Sequence, residues 1–429
     1  MSRPQIILGP KGLKILIIDN PEHLSTSFLI LVGAGSDWET KKNNGIFHFI
    51  EHLYFKGTKN YPSPKILMEA IDDLGGSFNA FTSCEYTGYY IKVLPEYSFS
   101  ALEILSDIIL NPLFPEEEIE KERNVIFEEI NLHQDRPQEL VAEIGNRLTF
   151  GDQPAGWSIL GTKETISKIK REDILKTVKE HYSTKNTLIV ISGKIQKQKE
   201  LIDFIFKIFK NYNSQKPKPK VKFKPPAKKY KEKIVFKDVA EAHLFLGFPL
   251  PGFAELKEKR IPLFLLSTIL GGKASSRLWL KIREELGAAY YIRSYFAEHT
   301  DRSLFFIHAG LNLEKLENVF KELIQEIVKL KNEGPTEKEL NTSKAVLKSS
   351  LFMDLEESLS TAIFYGRQYL LEKKLETPKE IEKKIEKIKI EDIKKNLKNI
   401  FSFSQAKLAM ILPKKFKINF SKILKQLLK

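Results

Sequence analysis

The stretch "GIFHFIEHLYFKGT", residues 45 to 58, sets two histidines four apart, with a glutamate directly before the second, inside an otherwise apolar run. Its apolar spacing predicts a helix over 45–56. On such a helix His48 and His52 lie one turn apart on one face, where two imidazoles can grip a single metal ion. Glu51, three residues after His48, sits beside the pair. A hydrolytic zinc centre takes three protein ligands from histidine and carboxylate and keeps one position for water. The ion lowers the pKa of that water toward ~7, and a neighbouring carboxylate can take its proton, a part that Glu51 fits. The competing reading is a pair of ordinary half-buried histidines, and a third ligand is what separates the two.

Candidates for that ligand stand in "EKERNVIFEEI", residues 120 to 130. A helix there places Glu122 and Glu129 two turns apart on one face, with Glu128 rotated by about 100°. Glutamates in an acidic helix usually face solvent, so the residues alone leave the choice open.

Around these motifs the first half alternates strands and helices. Strands are expected at 13–18 and 26–33, with the opening helix after them. A helix in "SPKILMEAIDDLGG" and one alternating strand, "FNAFTSCEYTGYYIKVL", come next. Helices near 98–110, 115–134 and 137–149 complete the series. This order argues an α+β fold, with helices packed on a largely antiparallel sheet.

The stretch "NYNSQKPKPKVKFKPPAKKYKEK", residues 211 to 233, mixes prolines and lysines without a periodic apolar face and reads as an extended spacer. The two sides of it echo each other. "IKREDI" at 169 to 174 recurs as "IKIEDI" at 388 to 393, each ahead of a helical pattern and an apolar strand, "NTLIVISG" or "AKLAMILP". "FPEEEIEKERNVIFEEI" likewise matches the layout of "GPTEKELNTSKAVLKSSL". The chain is expected to hold two divergent copies of one unit, at 1–212 and 234–429, joined by a linker at 213–233. The second copy has no metal site: no histidine occurs between Pro251 and Ser275, and Thr342 and Ser349 stand where Glu122 and Glu129 would be.

Composition closes off other classes. With 429 residues, 42% apolar and 29% charged, the chain can build two to four real cores. The net charge of +14 is spread over mixed Lys/Glu helices, so solvated faces are favoured over a nucleic-acid surface. The single cysteine, Cys84, excludes an intramolecular disulfide and any multi-cysteine metal site, and is expected to be a small buried residue. No apolar run reaches bilayer length, and the first residues are too broken for a signal-peptide core, so a cytoplasmic protein without a membrane span is expected. "LGGKASS", residues 270 to 276, lacks the glycine and Ser/Thr positions of a phosphate-binding loop, and no nucleophile-elbow pattern occurs. His23, His133, His181, His243, His299 and His308 are scattered and read as surface or satisfied core residues.

The motifs together resemble the pitrilysin-type inverted zinc peptidases, in the branch of mitochondrial processing peptidase and its bacterial relatives. The signature H-x-x-E-H followed by E-x6-E appears as "HFIEH" and "ERNVIFE", with further likeness in "AGSDWETKKNNGIFHFIEHLYFKGT" and "LGGSFNAFTSCEYTGYY". The resemblance implies a zinc-dependent endopeptidase whose two halves face each other around a peptide chamber. It makes His48, His52 and Glu129 the Zn2+ ligands, Glu51 the general base and Glu122 the carboxylate that steadies a ligating histidine. It makes "FNAFT" an edge strand that pairs with the substrate backbone, so that Asn79 and Ala80 contact the peptide or unfolded polypeptide. From "REELGAAY" it makes Arg283 and Tyr290 the pair that stabilises the carbonyl oxygen, with Tyr291 as a neighbour that confuses the assignment. Relatives of this length work as dimers; a homodimer is expected, a heterodimer being the other arrangement. The rival function is a noncatalytic subunit of the same family, against which the complete ligand set argues.

Overall fold

The computed structural model describes residues 3–413, 416 and 418–427. A six-stranded sheet is built from β1 (Gln5–Leu8), β2 (Lys14–Asp19), β3 (Thr26–Val32), β4 (Ser77–Thr82), β5 (Thr87–Val93) and β6 (Thr187–Gly193), in the order β1-β2-β6-β3-β5-β4. β3 and β6 are buried along their whole length, which is why "TSFLILV" and "TLIVISG" read as continuous apolar runs instead of alternating. Only the β2/β6 pair is parallel. The second sheet holds β7 (Lys231–Phe236), β8 (Ala242–Pro251), β9 (Ala289–Glu298), β10 (Arg302–Leu311) and β11 (Lys407–Leu412), in the order β7-β11-β8-β10-β9. Here too a single pair, β7/β11, is parallel.

Taken in chain order, β7, β8, β9, β10 and β11 occupy the sheet positions of β2, β3, β4, β5 and β6. The repeat expected from "IKREDI" and "IKIEDI" is visible locally as well. Asp173 Oδ2 accepts from the Lys170 N–H at 3.0 Å and Asp392 Oδ2 from the Lys389 N–H at 2.9 Å, so both motifs start a helix with the same reach-back contact.

Two local expectations need correction. The stretch 78–94 is not one strand but a hairpin, β4 and β5, that turns at 83–86 with Thr82 opposite Thr87. Cys84 lies in that turn and is half-exposed, not buried, because a turn residue has no sheet neighbour on its outer side.

The spans that pack together cross the expected boundaries of 1–212, 213–233 and 234–429. One compact unit comprises Met1–Ile130, Ser158–Lys222 and Phe352–Pro378; the other comprises Asn131–Trp157, Phe223–Leu351 and Lys379–Lys429. Within these spans, residues 1–2, 414–415, 417 and 428–429 lie outside the described ones. Each unit takes a helix from the opposite half of the sequence. The 358–372 helix lays Ala362 and Tyr365 on Leu16, Leu29, Leu31 and Val190 of the first sheet. The 137–150 helix lays Val141 and Phe150 on Phe245, Leu304, Ala409 and Ile411 of the second. Each helix has a glycine where the sheet comes closest: a Cβ on Gly145 would lie 2.2 Å from the Phe245 ring, and one on Gly366 would lie 2.7 Å from Leu31. The helices move because a sheet with one face bare leaves apolar strands in water, and an amphipathic helix covers whichever face the chain can reach.

The Lys/Pro-rich segment has no regular element until β7 begins at Lys231, so the last residues of the expected linker are strand. Its first part is pinned to the first unit. The Trp38 indole N–H donates to the Lys218 carbonyl at 3.0 Å, and Lys220 Nζ lies 2.8 Å from Glu85 and 3.4 Å from Asp37, both buried carboxylates. Among the described residues, no helix is long and apolar enough to cross a membrane.

Candidate metal centre

The predicted helix forms over Ile46–Leu53 and buries Ile46, Phe47, Phe49, Ile50 and Leu53 in the core of the first unit. It starts at Gly45, whose φ of 94° is a left-handed conformation that glycine adopts without a Cβ clash. Its first turn has no side-chain cap of its own. Glu39, fully buried six residues upstream, accepts from the N–H of Gly45 at 2.9 Å, the N–H of Phe47 at 3.1 Å and the Asn44 amide at 2.8 Å. A carboxyl aimed at a helix start satisfies donors that the helix cannot. Burial, opposed by these hydrogen bonds and reinforced by the charge of Asp37, pushes Glu39 up to about 8. The phenylalanines beside His48 wedge the helix in place, Phe47 edge-on against His181 and Phe49 beneath the Arg123 guanidinium.

His48, Glu51 and His52 occupy the remaining face. His48 Nε2 and His52 Nε2 are 3.3 Å apart. The 116–135 helix brings Glu129 to them, with Oε2 3.6 Å from His48 Nε2 and Oε1 3.7 Å from His52 Nε2. Ligand atoms ~2.0–2.2 Å from a tetrahedral zinc ion are separated by about 3.3–3.6 Å, the edge of the tetrahedron. The three observed separations match that edge, so these residues fit the ion.

The surroundings suit the task of each side chain. Burial and the charge of His52 push His48 down to about 3, which leaves its imidazole neutral and able to donate a lone pair. Burial by itself would lower His52, but its hydrogen bond to Glu122 and the charges of Glu129, Glu51 and Glu122 hold it above its ordinary value. Glu122 is 6% exposed, with Oε2 3.0 Å from His52 Nδ1 and Oε1 2.7 Å from Lys56 Nζ. Burial raises the Glu122 carboxyl, and the hydrogen bonds to His52 and Lys56 outweigh it, so the group stays anionic. An anionic Glu122 keeps the His52 proton on Nδ1 and turns Nε2 toward the metal position.

Glu51 is lifted by burial, against the pull of Thr82 and His52, and further raised by the charge of Glu129. It is therefore a better proton acceptor than a free carboxylate. The Thr82 hydroxyl donates to Glu51 Oε2 at 2.5 Å, leaving Oε1 for other partners. Thr82 closes β4, the free edge of the first sheet, so one strand carries Asn79, Ala80 and the residue that fixes Glu51. Ala80's own N–H is occupied by the Asn79 side-chain oxygen at 2.8 Å.

Sequence reasoning missed Glu39, Lys56 and Thr82. Lys56, four residues past His52, continues the face of the histidine pair and was the one readable signal.

Arg283 and Tyr290 lie in the second unit, apart in sequence from the ligand set, and they meet through the backbone. Arg283 Nη1 donates to the backbone carbonyl of Tyr290, not to its hydroxyl, and the guanidinium rests 4.5 Å over the Trp279 ring. Tyr290 is 66% exposed. The register of β9 shifts here, so Tyr290 has no partner in the register, while the hydroxyl of the neighbouring Tyr291 lies 3.2 Å from His243 Nδ1 and 3.3 Å from His308 Nε2. Two histidines read as scattered are thus brought together by the sheet. The other four stay separate: His23 and His181 are buried with Nδ1 unpartnered, His133 faces Glu143 at 3.4 Å, and His299 follows β9.

Known proteins were compared with the chain. The family described as "Insulinase (Peptidase family M16)" matches residues 14–163, and "Peptidase M16 inactive domain" matches residues 168–347. The chain is 34% identical to the uncharacterized zinc protease YmxG of Bacillus subtilis, over 94% of this chain and 96% of that one. It is 36% identical to an uncharacterized zinc protease of Rickettsia felis, over 91% of this chain and 93% of the other. Among solved structures, a protease from Helicobacter pylori superposes with a TM-score of 0.88 at 25% identity, covering 96% of this chain and all (100%) of that one.

Proposed function

We propose that this chain, a member of peptidase family M16, is a zinc-dependent endopeptidase that hydrolyses peptides or unfolded protein segments bound as an extended strand. The observation that carries the proposal is the convergence of His48, His52 and Glu129 at tetrahedral-edge separations, with the lifted carboxyl of Glu51 on the same helix face. A zinc ion held by those three residues supplies Lewis acidity, polarising the scissile carbonyl and bringing the pKa of water toward ~7.

The protein's own groups do the rest. Glu51 takes a proton from the attacking water at Oε1, the oxygen that Thr82 leaves free, and passes it to the nitrogen of the leaving amine as the C–N bond breaks. Products are a new carboxylate and a new amine. Glu122 and Lys56 keep His52 in the tautomer that presents Nε2. The substrate backbone adds to the free edge of β4, displacing the Asn79 side chain from the Ala80 N–H. Arg283 and Tyr290 are assigned donation to the carbonyl oxygen, where negative charge develops. Because ligands and this pair sit on one chain, a homodimer is the assembly proposed.

Metal analysis of the purified protein, paired with cleavage of an unstructured fluorogenic peptide, tests the reading. Close to one zinc per chain is expected, with cleavage lost on chelation and restored by zinc. Zinc retention without cleavage of any peptide would favour a noncatalytic subunit, and full activity after complete removal of metal would exclude the mechanism.

Thr82→Val gives a narrower check. It should lower kcat about 10–100-fold, as loss of a carboxylate's orienting partner does, with zinc content unchanged and activity recovered in Thr82→Ser. An equal loss of bound zinc would show that Thr82 supports the fold of the site and not the orientation of Glu51.

A further inference from the structure

In the second unit two guanidiniums lie over the indole of Trp279, that of Arg283 at 4.5 Å and that of Arg293 at 4.4 Å from the ring centre. Trp279 opens a stretch, 279–285, with π-helical hydrogen bonding, a rare local geometry found mostly at functional positions. Its ring N–H donates to Glu284 Oε1 at 2.9 Å, which fixes the indole and holds that carboxylate at the ring edge.

Neither cation has a carboxylate partner among the described residues. Arg283 spends one donor on the Tyr290 carbonyl. The Arg293 side chain makes no hydrogen bond among the described residues, and its Nη1 is buried without an acceptor. The same unit treats other arginines differently: Arg260 is held by Glu298 through two contacts of 2.7 Å, and Arg277 by Glu339 at 2.6 and 2.8 Å. Two like charges on one ring repel, and an enclosed guanidinium donor without an acceptor is costly, so an anion is the missing component. His308, opposite Arg293 in the strand register, does not alter the sign, since burial and His243 push it down to about 4.

The neighbourhood suits a peptide. Arg293 lies on β9, the free edge of the second sheet and the counterpart of β4, between the exposed Tyr290 and Tyr295. We propose that Arg293, stacked on the Trp279 ring, forms a subsite for a carboxylate of the peptide substrate, either an acidic side chain or the C-terminus. This rests on the peptidase reading, and it adds a charge preference to it.

The test uses three fluorescent peptides of one sequence: neutral with an amidated end, one Gln replaced by Glu with an amidated end, and neutral with a free C-terminus. Binding to the Glu51→Gln protein is read by anisotropy and cleavage by the wild type by kcat/KM. The acidic peptides should be favoured over the neutral one, and Arg293→Gln should reduce that ratio about tenfold, as expected for one charge-assisted contact. A gain for the Glu peptide alone assigns the side chain, and a gain for the free terminus alone assigns the terminus. Arg293→Lys, which keeps the charge but not the planar stack, should retain part of the ratio; complete loss in the Lys variant together with a lowered Tm would reveal a structural role and overturn the proposal. An unchanged ratio in Arg293→Gln would also overturn it. If the wild type cleaves none of the peptides the peptidase reading fails, while the anisotropy ratio still decides the subsite.

Discussion

Glu51→Gln should bind zinc at close to one ion per chain and yet lose peptide cleavage by about 10²–10⁴-fold, the contribution of a positioned general base. The substitution keeps the size of the side chain and one oxygen that can accept from Thr82, so the geometry around His48 and His52 survives. What it removes is the basic oxygen. Burial lifts the Glu51 carboxyl, and that lift is useful only to a group that must accept a proton and then release it. A variant with normal metal content and normal kcat would mean that another group moves the proton. A variant that has lost its zinc would mean that Glu51 belongs to the ligand shell.

The second large effect concerns the ligands. His48→Ala or His52→Ala should abolish stoichiometric zinc and all cleavage, because two remaining donors fall short of the three that such sites use. Glu122→Gln should weaken zinc by about 10–100-fold without abolishing it, since it leaves the ligand but frees its tautomer. The pH dependence follows from His52. Its pKa in the metal-free protein is above the ordinary value, so through the ordinary histidine range it still holds a proton that a metal must displace. Zinc affinity should therefore rise with pH through that range, by about one proton per zinc, and level off once His52 is deprotonated. His48, pushed down to about 3, adds nothing to the slope there. Competition with a chelator at several pH values measures it; a flat profile through and above the ordinary histidine range would contradict the assignment of His52.

Much of the site was legible because it is local. The histidines and Glu51 share eight residues of helix, and helical spacing alone puts them on one face. Glu129 was less legible: three glutamates compete on one acidic helix, and only resemblance chose among them. Thr82 and Glu39 were not legible at all. Each reaches the site through tertiary placement, a strand end in one case and a loop in the other, and a threonine or glutamate in isolation carries no such mark. His243, Tyr291 and His308 were missed for the same reason, since neighbouring strands join them across 48 and 17 residues. The repeat was legible through its helix starts, whereas the exchange of helices was not. An amphipathic helix encodes that it covers a sheet, and not which sheet.

That exchange sets the order in which the protein can be made. Ser358, at the start of the 358–372 helix, bonds Ser25 and Ser27 at 2.9 and 2.8 Å, across 333 and 331 residues of chain. During synthesis at roughly 5–20 residues per second, the first sheet therefore waits on the order of tens of seconds with β2, β3 and β6 uncovered on one face. A nascent chain in that interval exposes its most apolar strands and is the species most prone to aggregate. Contacts of such long sequence separation also make folding slow once the chain is complete. For the same reason, a truncation after the Lys/Pro-rich segment removes the cover of the first sheet while leaving every candidate ligand in place.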